Sequence, residues 1–465
     1  MRAKIFLSLS LLIPFAFVTI YVATTAPELI CRDDLCLIKG GLVEHYLKGN
    51  LAFTDLWRPY DYSRALGYNL LMLANIKWFS MNSRIFAFMI PVFILASALL
   101  VYRVYRKSLT PERSPEFIAL TYFALTFILF SVIQWEVLIF GYAFVYQSSL
   151  FFFMASFISL DLYLKDGHRK YLFLTLALHA AAILVFNGKL YITYAPALSL
   201  TFLCYALIKA SELPKKFWLR SFIVAVFLTV IALIYLYKLN QKDYVAEHAF
   251  YISEILAHPF KALQFFLASF GASVLSANAF FACDYFSFHK IVFLGSLILF
   301  FYGLSVFLFF RSRMYDKTNL PLFLIMQTIF FFGFVMVVRF GLGVDYGMGS
   351  RYTYVSVCGL LAIVWIFIFV LTRPVKPKLL LRSTIYAGLV VIFSGLLLSS
   401  AIEWQIRPLR KAQLTQLVNI AMKVDTATHD ELSLIGILPE HTRESLQILR
   451  AYKLNVYRED SSARD

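Results

Sequence analysis

The stretch TYVSVCGLLAIVWIFIFVLT, residues 353–372, decides the fold of this chain. It carries no charged side chain, and about 20 apolar residues in an α-helix are enough to cross the hydrocarbon core of a bilayer. Similar runs recur along the sequence. We predict eleven spans, at 5–24, 85–103, 116–133, 143–163, 171–186, 190–209, 219–238, 288–310, 318–340, 353–372 and 383–401. The sequence therefore predicts an all-α integral membrane protein.

Composition supports the same class. The 465 residues are 60% hydrophobic and only 15% charged, which is too apolar for a soluble protein. The net charge of +16 comes mainly from Lys and Arg in short loops between apolar runs. Because basic loops of this kind mark the cytoplasmic side of a membrane protein, we predict no binding to nucleic acid.

The basic loops also predict the topology. With the N-terminus in the cytoplasm, the strongly basic connections all fall on the inner side: Arg103–Arg113, Lys165–Lys170, Lys209–Arg220, Arg311–Lys317 and Arg373–Arg382. The first run resembles a secretory signal, but it is longer than a signal core of about 7–15 residues, so we expect a retained span. These features predict a bacterial inner-membrane protein with a periplasmic C-terminus.

Two further apolar stretches, 65–80 and 260–280, do not fit this topology as spans, because either one alone would invert the basic loops after it. We predict that both are interfacial or re-entrant helices on the outer side. If both crossed the bilayer, the count would rise to 13. We divide the chain into a membrane domain, 1–401, with a first outer loop at 25–84, and a small helical outer domain, 402–465, whose last helix begins near Pro439.

Carboxylates in the outer loops are candidate catalytic groups. Asp33 and Asp34 are adjacent shortly after the first span, where mutual repulsion favours proton uptake by one of them, so either can serve as a general base. Glu136 ends the sequence Gln134-Trp135-Glu136 at the end of another span and is a third candidate. The alternative is that these carboxylates are ordinary solvated or interfacial residues.

Cations at the same membrane level suit a phosphate group, since Arg binds phosphate through two N–H groups and Lys as a point charge. They also suit a plainer role, in which long basic side chains fix helix ends at the interface. The candidate substrate-binding residues are Arg58, Tyr60, Arg64, Gln134, Asn187, Lys189, Asp345, Arg351 and Tyr352.

Cys31 and Cys36 bracket the acidic pair and are candidates for a disulfide in an oxidising compartment. No compact set of metal ligands stands out, so we predict no metal site. The sequence leaves open whether a divalent metal is needed, and it leaves the oligomeric state open.

A first span followed by a long outer loop with an Asp-Asp pair, an interfacial helix, about a dozen spans and a C-terminal outer domain resembles the GT-C class of glycosyltransferases. Gln134-Trp135-Glu136 and Ser350-Arg351-Tyr352 also resemble short elements of uncharacterised bacterial members, although Val137 stands where Asn often follows the Glu. The resemblance implies a polyprenyl-phosphate-linked sugar as donor, and it matches Asp33 or Asp34 to the catalytic acidic residue of the first loop.

Function is therefore expected to be an inverting transfer of sugar to a glycan, lipid or protein of the cell envelope, as in polysaccharide biosynthesis. The alternatives are an O-antigen-type polymerase or ligase, and a lipid or polysaccharide transporter or flippase. A transporter needs polar groups along a path near the midplane, and apart from Gln147, His179 and Gln327 the predicted spans have few.

Overall fold

The protein is described by a computed structural model. It describes residues 2–58, 65–109, 113–187, 191–209, 215–236, 251–282, 287–373, 378–436 and 438–458. Within these ranges every regular element is helical, and no strand is present. The all-α prediction is confirmed for this part of the chain.

Among the described residues, eleven helices fall on the predicted spans. They are α1 (Arg2–Thr25), α5 (Ser83–Ser108), α6 (Pro115–Leu129), α8 (Phe144–Asp166), α9 (Arg169–Ala180, continued as a π-helix over Ala181–Asn187), α10 (Tyr191–Lys209), α11 (Lys215–Leu236), α15 (Phe288–Arg311), α16 (Leu320–Arg339), α17 (Thr353–Leu371) and α18 (Leu379–Gln405). Short helices in the connections are α2 (Leu42–Leu47), α3 (Phe53–Trp57), α4 (Leu66–Phe79), α7 (Trp135–Ile139), α12 (Ile252–Ala257), α13 (Pro259–Ala272) and α14 (Ala277–Ala282).

Among the described residues, nine helical segments are long and apolar enough to cross a membrane, which makes this an integral membrane protein. They coincide in position with nine of the predicted spans. The other two predictions, 190–209 and 219–238, fall on α10 and α11, helices of 19 and 22 residues. Only a shorter apolar stretch, Thr193–Ile208, is found in α10. The count of eleven spans stays a prediction.

Local sequence signals explain several helix ends. Ser114 caps α6 by accepting a hydrogen bond from the Phe117 N–H, and Pro115 follows at the first helical position. Gly167 ends α8 at φ 73°, a left-handed conformation that glycine adopts without steric cost. Pro14 lies inside α1 and has no N–H for the carbonyl of Ser10, which instead accepts a hydrogen bond from Thr126 Oγ1 at 2.7 Å.

The core is built around α17, the helix of the opening sequence. Of its most apolar stretch, 94% of residues are buried inside the protein, compared with 28% for α1. It packs against α16, α6 and α15, and its Trp365 donates a hydrogen bond to Ser108 Oγ at 3.0 Å. A helix that is apolar all round belongs in the centre of a bundle, whereas α1 presents much of its surface to lipid.

Two sets of loops gather at opposite ends of the bundle. At one end, basic side chains bind backbone carbonyls of neighbouring helix ends: Arg113 binds Thr372, Arg373 binds Ser312 at 2.6 Å, and Lys165 binds Lys317 at 2.9 Å. These contacts join connections that the charge rule assigns to the inner side. Cations suit such positions because helix C-termini carry partial negative charge.

The two apolar stretches excluded as spans form short helices. Both α4 and α13 have 14 residues, about 21 Å of helix, which is less than the thickness of a hydrocarbon core. Helix α13 packs closely on α15, because glycines lie at the crossing: a Cβ at Gly295 would overlap the carbonyl oxygen of Leu267. The position of α4 and α13 relative to a membrane surface stays a prediction.

The C-terminal part is helical, as predicted, and comprises α19 (Arg407–Met422), α20 (His429–Ile435) and α21 (Pro439–Ala451). Pro439 begins the last of these helices, which confirms that prediction. Helix α18, which precedes this C-terminal part, extends to Gln405, four residues beyond the predicted end of the last span.

The C-terminal helices dock on the first loop through Asn455. Its side chain accepts a hydrogen bond from the Ile30 N–H at 3.0 Å and donates to the carbonyls of Glu28 at 2.7 Å and Met81 at 2.8 Å. The tail and the first loop therefore lie at the same end of the bundle.

Candidate functional site

Glu136 is the centre of a polar cluster at the end of the bundle that carries the first loop. It lies in the first turn of α7, which follows α6 after a short 3-10 helix over Val132–Gln134, and its side chain is 12% exposed. Arg32, from the loop after α1, places Nη1 3.0 Å from Glu136 Oε1. Arg32 begins a short 3-10 helix over Arg32–Leu37 and has a φ of 58°, a conformation that non-glycine residues seldom adopt.

The second oxygen of Glu136 binds the segment before α17. Ser350 Oγ donates to Oε2 at 2.7 Å and the Arg351 N–H donates to it at 3.1 Å. Three regions far apart in sequence, near residues 32, 136 and 350, therefore meet on a single carboxylate. Because charged hydrogen bonds are stronger than neutral ones, this cluster fixes the three segments relative to one another.

The guanidinium of Arg351 lies among tyrosines. Its Nη2 donates to the Tyr346 hydroxyl at 2.5 Å, and its central carbon is 4.9 Å from the Tyr346 ring centroid and 5.5 Å from that of Tyr352. Its Nε is buried and has no hydrogen-bond partner among the described residues. The central carbon of Arg339 is 6.0 Å from the same Tyr346 ring centroid. An unsatisfied guanidinium N–H is an available donor for an anion.

Electrostatics favour an anionic ligand here. Arg32 pairs with Glu136, Arg339 and Arg351 lie by the Tyr346 ring, and the neighbouring Asp345 is exposed. Burial works against the charged form of Arg32, but Tyr142 and Glu136 outweigh it, so the pKa of Arg32 lies above its ordinary value. The guanidinium groups keep their charge at physiological pH and can bind a phosphate.

The acidic pair lies close by in the first loop. Asp34 is buried, and its Oδ1 accepts a hydrogen bond from the Tyr68 hydroxyl at 2.6 Å. Tyr68 belongs to α4, so the first loop folds back on its own helix. Asp33 lies in the same 3-10 helix as Arg32, and its side chain is outside the described part of the structure. The roles assigned to both aspartates stay predictions.

Other predicted binding residues have varied positions. Arg351 and Tyr352 belong to the cluster on Glu136, whereas Gln134 is fully buried and donates to the Leu129 carbonyl while accepting from Gln147. The role of Gln134 in substrate binding stays a prediction. Arg58 donates to the Gly40 carbonyl at 3.3 Å within the first loop. Tyr60, Arg64, Lys189 and the side chain of Asn187 lie outside the described residues.

The predicted disulfide between Cys31 and Cys36 stays a prediction. Cys31 is buried and precedes the 3-10 helix Arg32–Leu37, whereas Cys36 is partly buried and lies within it. No group of three or more His, Cys, Asp or Glu side chains that could hold a metal ion occurs among the described residues.

Sequence reasoning missed a second carboxylate at the same end of the bundle. Glu403, near the end of α18, is fully buried and binds Arg410 Nη2 at 2.5 Å, Asn278 Nδ2 at 2.7 Å and Ser276 Oγ at 3.3 Å. Arg410 also stacks on the ring of Trp135, the neighbour of Glu136, with 3.3 Å between its central carbon and the ring centroid. The C-terminal helices therefore contact the segment that carries the candidate site.

The sequence matches no protein-family model, and it has no significant match among curated proteins or solved structures. A functional assignment must therefore come from the chemistry of the site.

Proposed function

We propose that the chain is an inverting glycosyltransferase of the GT-C type, which moves a sugar from a polyprenyl-phosphate donor to an acceptor of the cell envelope. The observation that carries the proposal is the convergence of Arg32 and Arg351 on Glu136 at one end of a membrane-spanning bundle. A donor of this class keeps its chain in the bilayer and its phosphate at the surface. A cationic cluster at the end of the spans matches that geometry.

The proposed reaction uses each group in a definite role. Asp33 or Asp34 takes the proton from an acceptor hydroxyl, whose oxygen attacks the anomeric carbon from the face opposite the phosphate. The bond from that carbon to the phosphate oxygen breaks, and polyprenyl phosphate leaves. Arg32 and Arg351 stabilise the negative charge that develops on the leaving phosphate. Glu136 touches no reacting atom in this scheme and positions the two arginines.

We place the reaction on the outer face of a bacterial inner membrane, following the loop charges. A polymerase or ligase of envelope glycans would use the same chemistry with a larger acceptor. Transport is less well supported, since two polar side chains inside spans are engaged with neighbouring helices: Gln147 donates to Gln134 at 2.8 Å and Gln327 donates to Thr193 at 2.7 Å. Such pairs serve helix packing rather than a permeation path.

The test is donor turnover by the full chain in proteoliposomes that contain a sugar-charged polyprenyl phosphate and an envelope extract as acceptor. Release of polyprenyl phosphate is measured, because it reports transfer whatever the acceptor. Arg351→Gln is expected to lower the rate by about 10²-fold. Arg373→Gln is the matched control, since Arg373 also lies over an aromatic ring, 5.6 Å from the Phe369 centroid, but at the opposite end of the bundle.

The general base is tested separately. The double variant Asp33→Asn, Asp34→Asn should insert normally and lose transfer. Full activity in that variant would rule out the assigned base, and equal rates for the Arg351→Gln and Arg373→Gln variants would rule out the phosphate site.

A further inference from the structure

A groove and a cavity adjoin on the surface of the bundle, and Glu136 lines neither of them. The groove lies between α1, α6 and α18, has a volume of about 550 Å³, and is lined mainly by apolar side chains such as Pro14, Phe17, Phe127, Phe130 and Ala401. All three helices contribute to candidate membrane spans, and Phe17 is 39% exposed at the rim. In a membrane, such a concave apolar surface faces lipid chains rather than water.

The cavity is polar and lies beyond the end of the groove. It also has a volume of about 550 Å³, and its walls come from the end of α1, from Arg84 and from α19. Its lining includes Thr24, Glu28, Arg84, Lys411 and Thr415. Phe17 and Thr24 are seven residues apart in α1, two helical turns, so the groove and the cavity lie on the same face of that helix.

Basic side chains predominate where the groove meets the cavity. Arg407 lies 4.6 Å from the ring centroid of Trp404, which lines the groove, and donates to Thr24 Oγ1 at 3.3 Å, which lines the cavity. Lys411 follows one turn later on α19. Glu28 is already paired with Arg84 and Arg458, and Arg84 Nε is buried without a hydrogen-bond partner among the described residues. A cationic polar chamber thus adjoins an apolar channel.

We propose that this is a fixed binding site for one anionic phospholipid, with an acyl chain in the groove and the phosphate headgroup in the cavity against Arg407, Lys411 and Arg84. The groove follows α18 from Leu397 to Gln405, about 12 Å at 1.5 Å per residue. That length is close to the half-thickness of a hydrocarbon core, about 15 Å, so the chain belongs to the leaflet on the side of the C-terminal helices. The lipid would join α1 to α19 and so stabilise docking of the C-terminal helices.

Trp404 gives a direct readout. Brominated acyl chains quench tryptophan fluorescence on contact, so the full chain is reconstituted in phosphatidylcholine with small amounts of brominated phosphatidylglycerol or brominated phosphatidylcholine. Subtracting the signal of Trp404→Phe isolates this residue from the other tryptophans. We expect the anionic lipid to quench at about fivefold lower mole fraction than the zwitterionic one, the effect of roughly one cation at a membrane surface.

Matched variants separate the headgroup contact from the chain contact. Arg407→Gln should abolish the preference for the anionic lipid, whereas Arg382→Gln should retain it, because Arg382 stacks on Tyr386 at the other end of the same helix, α18, that carries Trp404. Ala401→Phe, which fills the groove, should reduce quenching by both lipids, and Ala387→Phe on the exposed surface of α18 should not.

Equal quenching of the wild-type protein by the two brominated lipids would overturn the site, and so would an unchanged preference in Arg407→Gln. Neither measurement uses sugar transfer, so the outcome is independent of the proposed enzyme activity.

Discussion

Glu136 and Glu403 are two carboxylates at the same end of the bundle, and each is paired with arginine, but Glu403 is buried and Glu136 is only partly buried. Glu403 has no exposed surface, its arginine is 8% exposed, and side chains from α14 and the segment before it supply its remaining hydrogen bonds. Glu136 is 12% exposed, and its partner Arg32 is 39% exposed. One pair is sealed within the protein, and the other borders an accessible surface.

The difference indicates which site has a structural role and which can bind a ligand. At Glu403, one cation balances one anion, both carboxylate oxygens accept hydrogen bonds, and the Arg410 side chain is only 8% exposed, so the pair offers little surface to a substrate. At Glu136, a second arginine is held through its backbone N–H, which leaves the guanidinium to the tyrosines and to a ligand. Breaking a buried ion pair destabilises the protein strongly, because one charge stays buried without a partner. A partly exposed pair with additional cations nearby favours the binding of an anion instead.

The largest expected effect is on stability at the sealed pair. Glu403→Gln removes the partner of a buried guanidinium and should destabilise the protein by about 3–5 kcal/mol, because the unpaired charge of Arg410 stays buried. The thermal denaturation midpoint of the purified protein in detergent measures this effect. Glu136→Gln is the control. The denaturation midpoint of this variant should fall much less, because Arg32 can turn towards solvent. A midpoint for Glu403→Gln equal to that of the wild type would remove the distinction between the two centres.

The sequence predicts features that depend on neighbouring residues better than features that depend on contacts between distant residues. The spans follow from composition, because a helix in lipid must cover its backbone with apolar side chains, and nine described helices lie where that rule places them. The start of α21 at Pro439 is also predictable from the sequence, because the proline ring itself favours the first position of a helix. Both residue groups near Glu136, 134–136 and 350–352, were recognised as motifs, but the contact between them joins residues 214 apart and has no local signal.

Glu403 was missed for a definite reason. The predicted end of the last span at 401 placed it in a water-exposed tail, whereas α18 continues to Gln405 and buries it. Gln134, a polar residue near a span end with a predicted role in substrate binding, donates and accepts hydrogen bonds inside the bundle. In both cases tertiary packing, rather than residue type, determines whether a polar group faces a site or the core.

A smaller effect separates the two serines that donate to these carboxylates. Ser350→Ala removes a 2.7 Å hydrogen bond to Glu136 and should lower donor turnover about tenfold, since a bond to a charged group contributes roughly 1.5–3 kcal/mol. Ser276→Ala removes a longer bond, 3.3 Å, from a carboxylate that keeps Arg410 and Asn278, and should leave turnover within about twofold of the wild type. Comparable losses in the two variants would show that both centres serve the same role.

The smallest effect concerns how the C-terminal helices hold the first loop, and it depends on pH. His441 in α21 lies with Nε2 3.3 Å from the carbonyl oxygen of Lys39, beside the side chains of Lys39 and Glu444. Burial lowers the pKa of His441 below its ordinary value of 6.5, and this outweighs the opposing hydrogen bond to Lys39. The undocked state therefore binds a proton more readily than the docked state. Docking should be strongest above pH 6.5 and should weaken as the pH falls from there towards the lowered pKa.

Hydrogen exchange of the amides of α21 at pH 7.5 and pH 5.5 measures this change, and His441→Gln should make protection nearly equal at the two values. Protection that increases on acidification of the wild-type protein would contradict the sign, and an unchanged pH dependence in His441→Gln would assign it to another group.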